Sequence, residues 1–244
     1  MMRKLGIIGG VSWNSTALYY EQINKAVAAR LGGLHSASLA LESLDFAPVA
    51  AMQQAGDWDG VIGLAVEAGL RLKKSGCDGL LIASNTMHKT AGAVKTATKL
   101  PLIDIGAVTA ERLVTDRYER VALLGTNYTM TEGFAREAYT AQGLSLIELS
   151  PEWRSEVHRI IYEELAAGRV VRESQRKLRT LITELSRRKV QAIVLGCTEL
   201  VMAVDVRANV LPVYDTTAIH ARSAVEWILE AAETAEGEGE RAAA

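Results

Sequence analysis

Two short stretches of the chain end an apolar run in a polar cluster. Residues 81–89 read LIASNTMHK and residues 193–200 read IVLGCTEL. The first run breaks into Ser84-Asn85-Thr86, the second into Cys197-Thr198-Glu199. A thiol can act as acid or base near neutral pH, because its free pKa is about 8.5. A helix N-terminus or a neighbouring cation is expected to lower that value at Cys197 and supply thiolate. Cysteines are mostly small buried hydrophobes, so the polar flank is what singles Cys197 out. Cys77, in the helix-to-strand turn KKSGCDG, lies at the opposite end of its strand and reads as inert.

The short polar side chains of Ser84, Asn85 and Thr86, with free backbone N–H groups at a strand-to-helix turn, suit a carboxylate. Helix capping is their plainer use. Two further turns have the same character: Gly9-Gly10-Val11-Ser12 after the first strand, and Thr126-Asn127 in the second half. The former is not GxGxxG, which argues against a dinucleotide.

These turns need strands to carry them. RKLGIIG, ASLALES, DGLLIAS and LPLIDI read as strands, with helices from about Ser15 to Arg30, over WDGVIGLAVEAGLRLKKSG and over KTAGAVKTATK. Between the second strand and its helix, LDFAPVAAMQQAGDW reads as a loop. Such alternation predicts an α/β fold with mainly parallel sheets, whose ligands bind beyond the strands' C-terminal ends. The pattern then restarts: ERVALLGTNYTM matches RKLGIIGGVSWN, QAIVLGCTE matches GLLIASNTM, and VLPVYDT matches KLPLIDI. Gly9 to Gly125 is an offset of 116, Ser84 to Cys197 of 113, and Asp104 to Asp215 of 111. The reading is a duplication into two pseudo-symmetric lobes, residues 1–104 with 213–244 and residues 105–212, their strand-end clusters meeting across a cleft.

Composition narrows the partners. The chain has 244 residues, 49% hydrophobic and 23% charged, with a net charge of −2, so it has no nucleic-acid footprint. No apolar run reaches the roughly 18 residues of a membrane helix, and the apolar run within the basic N-terminus MMRKLGIIGG is too short for a signal peptide's core. Two cysteines suit a reducing cytoplasm rather than a disulfide framework. The four histidines show no ligand spacing with them, so no metal is expected. Residues 231–244, AAETAEGEGERAAA, lose periodic hydrophobicity after about Thr234 and read as a frayed tail.

In order, GGVSWNST, RLGGLHSA, SNTMHK, ALLGTNYTM and LGCTE resemble the aspartate/glutamate racemase family over about Lys4 to Trp227. The resemblance implies a cofactor-independent, pyridoxal-free amino-acid racemase. Cys197 and Ser84 would serve as acid and base on opposite faces of the substrate α-carbon, which gives the duplication a purpose. It further implies that Asn85, Thr86 and Thr198 hold the α-carboxylate, with Ser12 and the Thr126-Asn127 turn beside it. It also implies a homodimer.

The chain departs from the family twice. Most members have Cys where this chain has Ser84, although some carry Thr. A serine needs a neighbouring base; His88, four residues on, is the one candidate, although such a histidine more often caps or orients its own helix, and turnover is expected to favour one direction. Dicarboxylate-specific members use an Arg in the loop after the second strand and a Lys in a second-half helix. Here that loop has neither Arg nor Lys, Ala166 aligns with the Lys, and Arg169 reads as a surface residue. Gln53 and Gln54 could offer neutral hydrogen bonds instead. The competing readings are a single-cysteine decarboxylase of malonate-like acids on the same scaffold, and a non-catalytic amino-acid-binding protein.

Overall fold

A computed structural model describes the backbone of residues 2–242 and the side chains of residues 2–230. In chain order it runs β1 (Leu5–Gly9), α1 (Trp13–Leu31), β2 (Leu39–Ser43), α2 (Phe46–Ala55), α3 (Trp58–Lys74), β3 (Gly79–Ile82), α4 (Ala91–Thr98) and β4 (Leu102–Ile103). It continues with α5 (Ile105–Thr115), β5 (Arg120–Gly125), α6 (Asn127–Thr131), α7 (Gly133–Thr140), β6 (Ser145–Leu146) and α8 (Pro151–Arg159). Last come α9 (Arg172–Arg187), β7 (Ala192–Gly196), β8 (Val213–Asp215) and α10 (Thr216–Ala242). Among the described residues these strands form two four-stranded parallel sheets, ordered β2-β1-β3-β4 and β6-β5-β7-β8. The identical order in both sheets bears out the expected α/β architecture of two equivalent halves.

The chain divides into two compact units. One comprises Met1–Ala83, Thr90–Asp104 and His220–Ala244; the other comprises Ser84–Lys89 and Ile105–Ile219. In the first, Leu5, Ile7 and Leu81 of the sheet pack with Tyr19, Ile23 and Val27 of α1 and with Ala224, Val225 and Ile228 of α10. His220 lies buried there as a brace: Tyr19 Oη is 2.8 Å from its Nδ1, and its Nε2 is 2.9 Å from the Ile103 carbonyl. In the second unit, Ala122, Leu124, Ile193 and Leu195 pack against Val157, Ile160, Leu178 and Ile182 of the α8–α9 region. Ala110 and Leu113 of α5 cover the opposite face, over Val121, Leu123 and Val194.

Within each sheet the chain order reverses between the two central strands, β1 and β3 or β5 and β7. Ligands of such sheets bind at this switch point, beyond the carboxyl ends of the strands. Every turn singled out in the sequence sits at one. The Ser12 turn follows β1, Ser84 follows β3 by two residues, Thr126 follows β5, and Cys197 follows β7.

Three differences from the sequence reading have local causes. The expected loop after β2 contains a helix, α2. Asp45 caps it by accepting from Ala47 N at 3.2 Å, and Gly56 closes it in the left-handed conformation. Pro48 is tolerated there because it sits in the first turn, where backbone N–H groups lack intrahelical partners. The drift in repeat offset begins at the first turn. Ser12 and Thr126 occupy the same N-cap position, accepting from Ser15 N and Thr129 N, but Gly10 and Val11 lengthen the first turn by two residues. Gly10 has φ +90°, and a Cβ there would lie 2.0 Å from the Leu44 carbonyl oxygen. Finally, α10 carries the backbone to Ala242, through most of the expected tail; Ala and Glu are good helix formers. The tail's side chains and residues 243–244 lie outside the described residues. No helix among the described residues is long and apolar enough to cross a membrane.

Candidate active site

The second unit gathers seven of the nine residues singled out by sequence. Its foundation is a pair of glycines opposite each other at the ends of β5 and β7, Gly125 and Gly196. A Cβ on Gly196 would lie 2.8 Å from Leu123 Cδ1 and 3.0 Å from Thr129 Cγ2, and one on Gly125 would lie 3.0 Å from the Gly196 carbonyl oxygen. Bare backbone at both positions lets Thr129 settle over the strand ends. Its hydroxyl then completes a buried triangle with Thr86 and Thr126, at oxygen separations of 3.2 Å to Thr126 and 3.5 Å to Thr86, with 3.2 Å between Thr86 and Thr126.

The segment Ser84–Lys89 is fastened to this unit at several points. Asn85 Nδ2 donates to Thr216 Oγ1 at 3.0 Å, and that hydroxyl donates onward to the Leu195 carbonyl at 2.7 Å. Lys89 pairs with Glu132. His88 Nδ1 donates to the Ser84 carbonyl at 2.7 Å, while its Nε2 accepts from Ile105 N at 3.1 Å. Both ring nitrogens therefore serve backbone groups. This is the orienting role rather than that of a base for Ser84: the ring spans the segment and leaves no lone pair for a hydroxyl. Ser84 Oγ accepts a long hydrogen bond from Met87 N, at 3.4 Å.

Cys197 leaves β7 in an extended conformation and heads the 3-10 turn Thr198–Met202. Its Sγ–H donates to Glu199 Oε2 at 3.0 Å, and Thr198 Oγ1 donates to the same oxygen at 2.7 Å. Burial pushes the thiol well above its ordinary pKa, and the Glu199 charge and the hydrogen bond to it push the same way. The backbone N–H groups of Glu199 and Leu200 oppose them. The expected thiolate is thus corrected: amides of the helical turn are present, but desolvation and a carboxylate outweigh them, and Cys197 rests as the thiol.

Sequence reasoning missed three residues here. Glu199 stood in the quoted motif without a role, and its position two residues after a strand-end cysteine was the available signal. Tyr162 and His158 had no such signal, since both lie in what reads as an ordinary helix. After α8 the backbone widens into a π turn, Ile160–Glu164, and then tightens into a 3-10 turn, Leu165–Ala167. Single π turns inside helices recur at functional sites. Tyr162 packs on the core cluster that holds Cys197 and Leu200. Burial, then the charges of Tyr128, Cys197 and Glu199, push its phenol up to about 12. Its ring lies 4.6 Å from that of His158, whose Nδ1 accepts from Asn127 N at 3.2 Å. Burial lowers the His158 pKa, favouring the neutral ring. Arg159 fans across Glu156, Glu163 and Glu164, and Arg169 donates to the Glu163 carbonyl.

Ser84, Asn85, Thr86, Thr126, Asn127, Cys197 and Thr198 all belong to the second unit. Ser12 and Gln53 belong to the first. There Ser12 Oγ lies 3.2 Å from Ser15 Oγ at the head of α1, and Gln53 is buried near the end of α2.

Comparison with known proteins adds four similarities to this geometry. The Asp/Glu/Hydantoin racemase family model matches residues 8–224. A Yersinia pestis protein assigned as an Asp/Glu racemase has a crystal structure with a TM-score of 0.89 and 41% identity, the match covering 93% of this chain and all of that one. The structure of an aspartate racemase homologue from Pyrococcus horikoshii OT3 gives 0.79 and 29%, covering 92% and 98% of the two chains. The broad specificity amino-acid racemase RacX of Bacillus subtilis (strain 168) is 23% identical over 164 residues, 67% of this chain and 70% of its own.

Proposed function

The chain belongs to the Asp/Glu/hydantoin racemase family, and from that premise we propose that it is a pyridoxal-independent amino-acid racemase using Cys197 and Ser84. The observation that carries this reading is the 3.0 Å hydrogen bond from Cys197 Sγ to Glu199 Oε2. A thiol held protonated by burial needs somewhere to send its proton before it can act as a base, and Glu199 is one hydrogen bond away.

The reaction then runs in two proton transfers. The α-amino acid binds with its carboxylate on the neutral polar groups of Asn85, Thr86, Thr126 and Thr198, with Asn127 supporting it. As the thiol proton passes to Glu199, sulfur takes the α-proton and the electron pair of the C–H bond moves onto the α-carbon and its carboxylate. Ser84 delivers its hydroxyl proton to the other face, and the proton taken up by Glu199 returns through water to the serine oxygen, which restores both groups. The reverse direction requires Ser84 to act as the base, for which it is poorly equipped. Because a racemisation has an equilibrium constant of one, kcat/KM must be equal both ways; the bias enters kcat and KM separately. Amino acids other than aspartate and glutamate fall within this reading, in keeping with the broad-specificity relative. A cytoplasmic homodimer is part of the same proposal, supported by the resemblance and by two cysteines that are both free.

Proton NMR in D2O tests it. One enantiomer of a substrate should lose its α-proton signal while chiral analysis shows the other form, and Cys197→Ala should abolish both exchange and inversion. Full activity in that variant would sink the mechanism. One observation favours a second reading: a Cys197 thiol protonated at rest, with no base on Ser84 among the described residues, also suits a decarboxylase of malonate-like acids. There carbon dioxide leaves with its bonding pair left on carbon, and Cys197 protonates the carbanion. Carbon dioxide release without α-proton exchange on any amino acid would select that alternative.

A further inference from the structure

Resting on the racemase reading, we infer that Tyr162 and His158 form the wall that selects the substrate side chain, and that this wall takes uncharged amino acids. The geometry gives each residue an uncommitted donor. His158 spends Nδ1 on accepting the Asn127 N–H, so its Nε2 carries the hydrogen, and no protein group among the described residues receives it. The Tyr162 hydroxyl likewise has no hydrogen-bond partner among the described residues, although the ring is half-buried on the core cluster that includes Cys197. The two rings brace each other at 4.6 Å and an interplanar angle of 47°. The π turn that carries Tyr162 lies directly after the helix that carries His158.

The cations in this part of the second unit are engaged elsewhere. Arg159 is bonded to Glu156 and Glu164, Lys177 to Glu156, and Arg169 to the Glu163 carbonyl. The remaining charge beside the thiol is negative, on Glu199. A substrate carboxylate placed here would lose its hydration, face Glu199 and find these three cations already engaged, an unfavourable exchange. Hydroxyl, amide and thioether side chains lose far less on entering. They can accept from the phenol or the imidazole, or lie against the two rings.

The test is α-proton exchange in D2O over both enantiomers of alanine, serine, asparagine, methionine, aspartate and glutamate. The native protein should give a kcat/KM for neutral substrates at least tenfold above that for aspartate and glutamate. Tyr162→Phe should raise KM for asparagine and serine about tenfold while leaving alanine nearly unchanged, a split that general damage to the fold would not produce. Tyr162→Lys should bring glutamate up relative to alanine. His158→Gln, which keeps a donor, should disturb the ranking less than His158→Phe. A native preference for aspartate or glutamate overturns the inference, as does a substrate ranking that no Tyr162 or His158 variant moves. In either case the racemase reading stands, because exchange itself persists. Exchange with no amino acid at all overturns both.

Discussion

The end of β3 and the end of β7 occupy the same place in two sheets of identical order, yet they are equipped for different work. Cys197 has a carboxylate 3.0 Å from its sulfur and a glycine before it. Ser84 has Ala83 before it, a long hydrogen bond from Met87 N at its oxygen, and a histidine four residues on whose two nitrogens are both bound to backbone. Duplication reproduced the position of a reacting group without its supporting chemistry. On the proposed mechanism one end can both lose and accept a proton, with Glu199 as its relay. The other can donate, but no group among the described residues makes it a base. Racemisation needs two faces but not two equal residues; with kcat/KM equal both ways, unequal ends show in how kcat and KM divide between the two directions.

Removing the relay should produce the largest change. Glu199→Gln keeps the shape and the hydrogen-bond acceptor but cannot take a proton, so α-proton exchange should fall about 100-fold, within the usual range for a general acid or base. A second readout separates the relay from packing. Glu199's charge raises the Cys197 pKa, so deleting it should move the midpoint of iodoacetamide alkylation against pH to lower values, with Cys77 replaced by Ala. The sign matters: alkylation below neutral pH should become faster even as exchange becomes slower. An unmoved midpoint would mean that Glu199 does not hold the thiol proton.

How much of this could be read from the chain follows the same division. The two sheets, and the strand ends that carry Ser84, Thr126 and Cys197, were legible because parallel strands buried on both faces leave long apolar runs that break abruptly into polar turns. The pairing of the halves was legible because LIASNT and VLGCTE preserve that break. What could not be read depends on contacts distant in sequence. The His88 ring is occupied by Ile105 N, seventeen residues away. Tyr162 reaches the Cys197 cluster through a π turn, for which IIYEE carries no periodic signal. The helix over Phe46–Ala55 was hidden by Pro48, although Asp45 and Gly56 marked its two ends. The thiol's resting state depended on burial, which no motif encodes.

A smaller effect comes from giving the β3 end what the β7 end has. In the native protein, exchange on the enantiomer facing Cys197 should outrun its inversion, because the thiol returns a solvent proton to the face it came from faster than Ser84 protonates the other. Ser84→Cys supplies a group that can act as either acid or base near neutrality. The ratio of inversion to exchange should therefore rise about tenfold, as should kcat in the slow direction. Chiral chromatography beside the NMR time course measures both. An unchanged ratio would show that Ser84 was never the slow partner.

The smallest effect tests the backbone beneath the comparison. Ala83 tolerates a fully buried Cβ at the end of β3, whereas Gly196 has no room for one at the end of β7. The obstacles to Gly196→Ala are unequal. Leu123 Cδ1, at 2.8 Å, is the far end of a flexible side chain and can turn away. Thr129 Cγ2, at 3.0 Å, belongs to a β-branched residue whose hydroxyl is tied to Thr86 and Thr126. Forcing it aside should cost about 1–3 kcal/mol, the usual penalty of overpacking, and lower the melting temperature by about 2–4 °C per kcal/mol. Thr129→Ser deletes that methyl and keeps the hydroxyl. The Gly196→Ala, Thr129→Ser double variant should therefore recover most of the loss, and a double-mutant cycle should give a coupling of about 1 kcal/mol. If the two changes simply add, Leu123 is the neighbour that matters, and the glycine before Cys197 serves strand packing rather than the hydroxyl triangle.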